Sequence, residues 1–197
     1  MGRGRLTGSA STDHGPGPGL LTVQLLPIFL ADGELPQAAV GEELDVAPTV
    51  YAGQQLPWAA DREWWNVDEF GTFDASGTVL RPSPDAIPCG CQIDLLDAGG
   101  SLFPLNWATA EPTDGRVRLE GALYLEPGLA AGTEHGEAIS LCRRRYRLDA
   151  VRRYRRTEGP PLSPVPLPGI PPPPAASDAA VYVADLAPVL DEDGSGG

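Results

Sequence analysis

Apolar and polar positions alternate with a period of two along most of the middle of this chain. Leu21, Val23 and Leu25 alternate with Thr22 and Gln24, which is the pattern of a strand with one buried face. Pro27, which follows, places the end of that strand at an edge or bulge. A second strand is predicted over residues 43–52, interrupted by Pro48, and a short one over 77–81. Residues 91–96 and 101–107 flank Asp97-Ala98-Gly99-Gly100. Asp and Gly there permit the positive φ angles of a tight reversal, so a hairpin is predicted. Pro104 cannot donate to a ladder and puts the returning strand at an edge at that point.

The strongest alternation runs over residues 116–126. Val117, Leu119, Leu123 and Leu125 share one face with Gly121, and Arg118, Glu120 and Tyr124 share the other. Gly121 is expected at a bulge or at a close approach of two backbones. Residues 138–156 read two ways. As a helix they align Tyr146, Ala150 and Tyr154. As a strand they align Arg144, Tyr146, Leu148 and Ala150, and Val151 then falls out of phase and demands a bulge. The tyrosines and the β pattern around them favour the strand. The aromatics of residues 58–73 settle on no helical stripe, which leaves an irregular connection or one short turn.

Together these elements predict a mainly β fold, a small antiparallel barrel or sandwich of six to seven strands over residues 20–157. Residues 1–19 are Gly/Pro-rich with nothing to bury and are expected to form a disordered arm. Residues 158–177 form a Pro-rich linker, with nine prolines among the sixteen residues 159–174, a composition suited to solvated polyproline II. An apolar patch and an acidic tail occupy 178–197. Val181, Tyr182, Val183 and Leu186 give that patch two open readings: a last strand docked on the domain, or a linear motif for another protein.

Composition agrees with this picture. The 24 Gly and 22 Pro disfavour helix interiors. The longest apolar run, residues 20–31, has twelve residues and is too short to cross a bilayer, so no membrane association is expected. Three cysteines cannot all pair within one chain, which argues against a secreted disulfide scaffold and for a cytoplasmic protein.

Charge supplies the most distinctive feature. Eight of the fourteen basic residues, all of them Arg, fall within residues 142–156, in a chain of net charge −13. Arg143, Arg145, Arg147, Arg153 and Arg155, with Tyr146 and Tyr154, could grip phosphates and stack on bases. The competing reading pairs these arginines with carboxylates on neighbouring strands, with residues 116–126 and 94–97 as the expected sources. The acidic surplus favours that second reading and disfavours a protein built to coat nucleic acid.

Other chemistry is sparse. Cys89, Cys91, His135 and Cys142 make a Cys3His set, but one residue between the first two thiols is fewer than structural zinc sites use. Small buried thiols are the favoured reading, and no metal or cofactor is expected. Trp58, Trp64, Trp65 and Trp107, with Asp61, Glu63, Asp68 and Glu69, resemble the parts of a carbohydrate site, although tryptophans more often fill cores. The two histidines, His14 and His135, offer no credible triad. The absence of Lys removes phosphate-loop and Schiff-base chemistry. The expectation is therefore a non-catalytic binding or accessory protein, of the inhibitor or immunity type, acting on an unidentified protein partner. The alternative is a single-stranded nucleic-acid binder using residues 143–156.

Overall fold

The computed structural model describes residues 19–57, 62–81, 93–110, 115–126, 136–155, 163–173 and 180–189. Residues 1–18 of the predicted arm, Trp58, Asp61, Cys89, Cys91, His135, Arg156 and the acidic end of the chain lie outside these residues. Within them the order is β1 (Leu21–Leu25), α1 (Pro27–Asp32), β2 (Glu43–Val46), β3 (Thr49–Leu56), β4 (Trp64–Val67), β5 (Thr72–Leu80), β6 (Asp94–Ala98), β7 (Ser101–Asn106), β8 (Gly115–Tyr124), α2 (Gly136–Cys142), β9 (Arg144–Arg155), β10 (Val165–Leu167) and β11 (Ala180–Pro188).

The strand with the clearest alternation, β8, is central. It pairs antiparallel with β3 on one side and β5 on the other. From β5 the ladder passes to β6 and β7, and β7 returns to β3, which closes a five-stranded barrel. The closing link is short and parallel, Val50 opposite Leu105 and Tyr51 opposite Asn106, and it begins just after Pro104. Val50, Phe73, Leu96, Phe103, Leu119 and Leu123 are buried inside. Trp65 packs on Phe73 and Phe103 with ring centroids 6.4 and 5.6 Å away. A barrel this narrow is filled by side chains and holds no lumen.

Gly121 plays the part its sequence position predicts. A Cβ there would lie 2.0 Å from the carbonyl oxygen of Tyr51, far inside van der Waals contact. Opposite it the register of β3 slips between Ala52 and Gln54, so Gly53 is a bulge. The β6–β7 hairpin also forms as predicted, with Gly99 and Gly100 at φ of 61° and 83°.

A second wing extends from the barrel. Strand β1 meets β8 in a parallel contact at Gln24 and Tyr124, then pairs antiparallel with β11, and β11 with β9. The outer edge of β9 is shared end to end by β2, against residues 144–147, and β10, against residues 151–153. The bulge demanded by Val151 is present: Asp185 faces Ala150 and Leu186 faces Leu148, so Asp149 is looped out of the β9–β11 ladder. One apolar core runs from inside the barrel under this wing to Leu148, Tyr182 and Leu186. Outside the barrel, Ile139 and Cys142 of α2 make a small second core with Ala47 and Leu95.

Three elements differ from expectation, and a fourth takes one of its two expected forms. Pro27 does not mark a sheet edge; it opens α1, where its fixed φ suits the first helical turn, and Gly33 at φ 70° ends that helix. Residues 58–73 hold a strand, β4, whose four residues are too few to show a period. Asp68 Oδ1 turns the chain from β4 into β5 by accepting the N–H groups of Phe70 and Thr72. The proline run is not wholly a solvated linker: β10 pairs with β9, and Ile170 is buried. Proline is tolerated in β10 because that strand lies at the sheet edge. Of the two readings open for the apolar patch, the docked last strand is the one found: it is β11, held on both sides by β1 and β9, so the sheet continues past residue 157. These additions raise the predicted six or seven strands to eleven among the described residues.

Candidate functional site: the arginine strand

Alternation along β9 divides its side chains between two environments. Leu148 and Val151 are fully buried against the core, with Tyr146 half-buried beside them. The opposite face carries Arg145, Arg147, Arg152 and Tyr154. Burial raises the pKa of the Tyr146 hydroxyl, and the nearby Arg144 guanidinium partly opposes the shift.

The cations of this face meet carboxylates of the same molecule. Arg143 reaches Asp45 at 3.2 Å and also donates to the Asp45 carbonyl at 2.7 Å. Arg145 lies 3.8 Å from Glu43. Arg147 Nε donates to Asp149 at 2.8 Å, a bond that raises the Arg147 pKa. Strand β2 supplies two of these acids because antiparallel pairing sets Glu43 opposite Arg147 and Asp45 opposite Arg145. These surface pairs are each worth about 0–1 kcal/mol, so their consequence is for field more than for stability.

Deeper in the wing, Arg152 donates to Asp185, which also accepts the Thr22 hydroxyl at 2.8 Å. Arg152 donates in addition to the Tyr154 hydroxyl at 3.2 Å. Tyr154 is buried and packs on Phe70, ring centroids 5.1 Å apart. This network ties β1, β11 and β9 to the β4–β5 turn. Arg144 instead closes α2, donating to the carbonyls of Leu141 and Arg143 at 2.8 and 2.7 Å. Arg153 and Arg155 are exposed and have no ion pair among the described residues.

The acids that meet the arginines are not the ones sequence reasoning nominated. Asp94 serves a different cluster: it is buried, accepts the Trp107 indole N–H at 2.6 Å and pairs with Arg81 at 3.2 Å. On β8, Arg118 pairs with Asp74 at 3.0 Å and lies 5.7 Å from the Trp64 ring centroid. The hydrogen bonds to Asp74 raise the Arg118 pKa. The missed partners, Glu43 and Asp45, did carry a signal: two acids two positions apart share one strand face.

The remaining candidates are dispersed. Val181, Tyr182, Val183 and Leu186 lie in β11, the last three buried. Cys142 is buried, and burial pushes its pKa up to about 11. Its three proposed co-ligands lie outside the described residues, and no metal-ligating cluster forms among the described ones. Among the described tryptophans, Trp64 and Trp65 are adjacent in β4 and face opposite sides of it, and the Trp107 indole is bonded to Asp94. Asp68 is committed to its turn, and Glu63 accepts the Thr78 hydroxyl at 2.9 Å.

Two features escaped sequence reasoning. Outside the barrel, Tyr51 hydrogen-bonds Glu126 and Asn106 and meets Tyr124 edge-on at 4.7 Å. Burial and the Glu126 carboxylate hold the Tyr51 pKa well above its usual value. Second, a hollow of about 430 Å³ is lined by residues 37–39 and 167–172, two segments paired directly through Ala39 and Gly169. Neither shows in a periodicity, because each joins segments distant in sequence. No helix among the described residues is long and apolar enough to cross a membrane. No protein-family model matches the chain, and no curated protein or solved structure does either.

Proposed function

We propose that this chain is a non-catalytic cytoplasmic binding protein that acts through contact with a positively charged protein partner, as an inhibitor or immunity-type protein would. One observation carries the reading. The guanidinium groups of Arg143, Arg145, Arg147 and Arg152 face Asp45, Glu43, Asp149 and Asp185 of the same molecule. Four of the eight arginines in the largest block of positive charge are thereby paired with acids of the same molecule, and the net charge of −13 makes the chain as a whole acidic. Such a field attracts basic surfaces and speeds their encounter. A cytoplasmic setting accords with the odd number of cysteines, three, which cannot all pair within one chain.

The nucleic-acid alternative needs arginines free for phosphate and tyrosines free to stack. Tyr154 is occupied by Phe70 and Arg152, which weakens that reading. The test titrates labelled single-stranded RNA and, separately, a small basic protein such as lysozyme into the full chain at low and high salt. Binding of the basic protein that fades with salt, with no RNA binding, supports the proposal. Tight RNA binding with a steep salt dependence overturns it in favour of the alternative.

A further inference from the structure

We propose that the acidic stretch Asp191-Glu192-Asp193 docks on the outer face of β9 at Arg143–Arg147 and shields those arginines from polyanions. The inference goes beyond the basic-partner reading and does not depend on it, because it concerns the positive stretch of the molecule and not its acidic remainder.

The sheet itself delivers those acids. Strand β11 runs antiparallel to β9 and leaves it beside the arginines: Leu186 faces Leu148, Ala187 faces Arg147 and Pro188 faces Tyr146. The pairing continues past the strand, since the Val189 N–H donates to the Arg145 carbonyl at 2.9 Å. Leu190 follows, and then Asp191, Glu192 and Asp193 in succession. The same register, carried two residues beyond Val189, sets Asp191 opposite Arg143. Two residues of extended chain span about 7 Å, which keeps a carboxylate there within a side chain's reach of Arg143 and Arg145. Alternation assigns positions 187, 189 and 191 to the face that carries Arg145 and Arg147, so Asp191 meets them without crossing the sheet.

Charge completes the match. Asp45, Glu43 and Asp149 answer Arg143, Arg145 and Arg147 one for one. Arg144 gives its guanidinium to two carbonyls and to no carboxylate among the described residues. The stretch therefore keeps a surplus of positive charge. The Arg145 and Arg147 side chains are 51% and 56% exposed, and pairs so open to solvent are each worth about 0–1 kcal/mol. Such pairs yield readily to a multivalent anion. Three consecutive acids tethered a few residues away act at high effective concentration, and so compete with a dissolved polyanion without any single strong bond.

The probe is a short fluorescein-labelled oligodeoxythymidine, titrated by anisotropy at low salt into the full chain and its variants. The chain ending at Leu190, which keeps β11 and the Val189 bond, should bind it about tenfold or more tightly than the native chain. The full-length variant Asp191→Asn with Glu192→Gln and Asp193→Asn should do the same. Adding Arg145→Gln and Arg147→Gln should abolish the gain, with the thermal midpoint reporting that these exposed changes leave the fold intact. A control, Asp32→Asn with Glu34→Gln and Glu69→Gln, removes the same charge at other exposed positions and should change Kd by less than about twofold. In parallel, the Nε–H resonances of Arg143 and Arg145 should move in the neutralised tail variant, while that of Arg118, paired with Asp74 on the barrel, should not. Equal affinity of the native chain and both tail variants overturns the shield, as does tight binding by the native chain. An equal gain from the control assigns the effect to net charge and overturns the docking, as do unmoved arginine resonances. A gain that survives Arg145→Gln and Arg147→Gln places the polyanion elsewhere and overturns the assignment to β9. Binding of lysozyme is scored separately, so failure here leaves the basic-partner reading standing.

Discussion

At the scale of single residues, Gly121 shows how one missing side chain can set a topology. Its hydrogen lies where a methyl group would sit 2.0 Å from the Tyr51 carbonyl oxygen, in the ladder that joins β8 to β3. Gly121→Ala should therefore cost roughly 2–4 kcal/mol, since backbone and not a flexible side chain must yield. Gly115→Ala, at φ 76° with open space around it, should cost only about 1–2 kcal/mol, the penalty of a left-handed backbone. Urea unfolding of the pair checks the contrast; equal losses would mean that the strands separate freely at Gly121. Cys142 makes a second residue-level prediction. Its folded pKa, raised by burial from 9.0 to about 11, means that the folded protein holds a proton the unfolded chain releases. Below pH 9 this difference has no effect on stability, and between pH 9 and 11 stability falls, by at most about 1.4 kcal/mol per pH unit. Cys142→Ala should flatten that part of the stability profile, measured by urea midpoints across the range. An unchanged slope would show that the thiol is not the titrating group.

At the scale of elements, β9 is the strand on which the predicted and observed charge patterns meet. Its phase break at Val151 was legible because a one-residue slip reverses every side chain after it, and no continuous strand can bury both Leu148 and Val151. Its ion-pair partners were not legible. Which strands lie beside β9 depends on β2 and β11, a four-residue strand and a segment beyond the proline run, and neither announces its neighbour. The same limit hid β4, whose turn depends on the Asp68 side chain more than on any apolar period. The Arg152–Asp185 pair tests how far such charges organise the wing. Its side chains are only 21% and 9% exposed, so removing one charge strands the other in a poor solvent. Arg152→Met and Asp185→Asn should each destabilise, and the double variant should lose less than their sum, with a coupling of roughly 1–3 kcal/mol. A cycle that adds to within about 0.5 kcal/mol would mean the pair is no more than a surface contact.

At the scale of the whole molecule, the first and last described strands are neighbours, and the wing depends on the last. Strand β11 lies between β1 and β9, paired with five residues of the former and nine of the latter. Removing it would leave two unpaired edges facing each other across a gap and would expose Leu21, Val23, Leu148 and Val151, all now buried. The strand's own Tyr182, Val183 and Leu186 are almost wholly buried. At about 1.5–3 kcal/mol each, they are comparable together with the entire stability of an ordinary domain, about 5–15 kcal/mol. A chain ending at residue 173, which keeps β10 and Ile170, should therefore show no cooperative thermal transition and should be cut rapidly by protease, although every strand of the barrel is still encoded. A synthetic peptide of residues 180–189 supplies the missing edge partner, and adding it in excess should restore both the transition and the resistance, because strand addition recovers the ladder and the buried face together. Cooperative melting of the truncated chain without the peptide would instead make the barrel self-sufficient. Residues 180–188 would then be a docked but separable segment, free to serve as a motif for another protein.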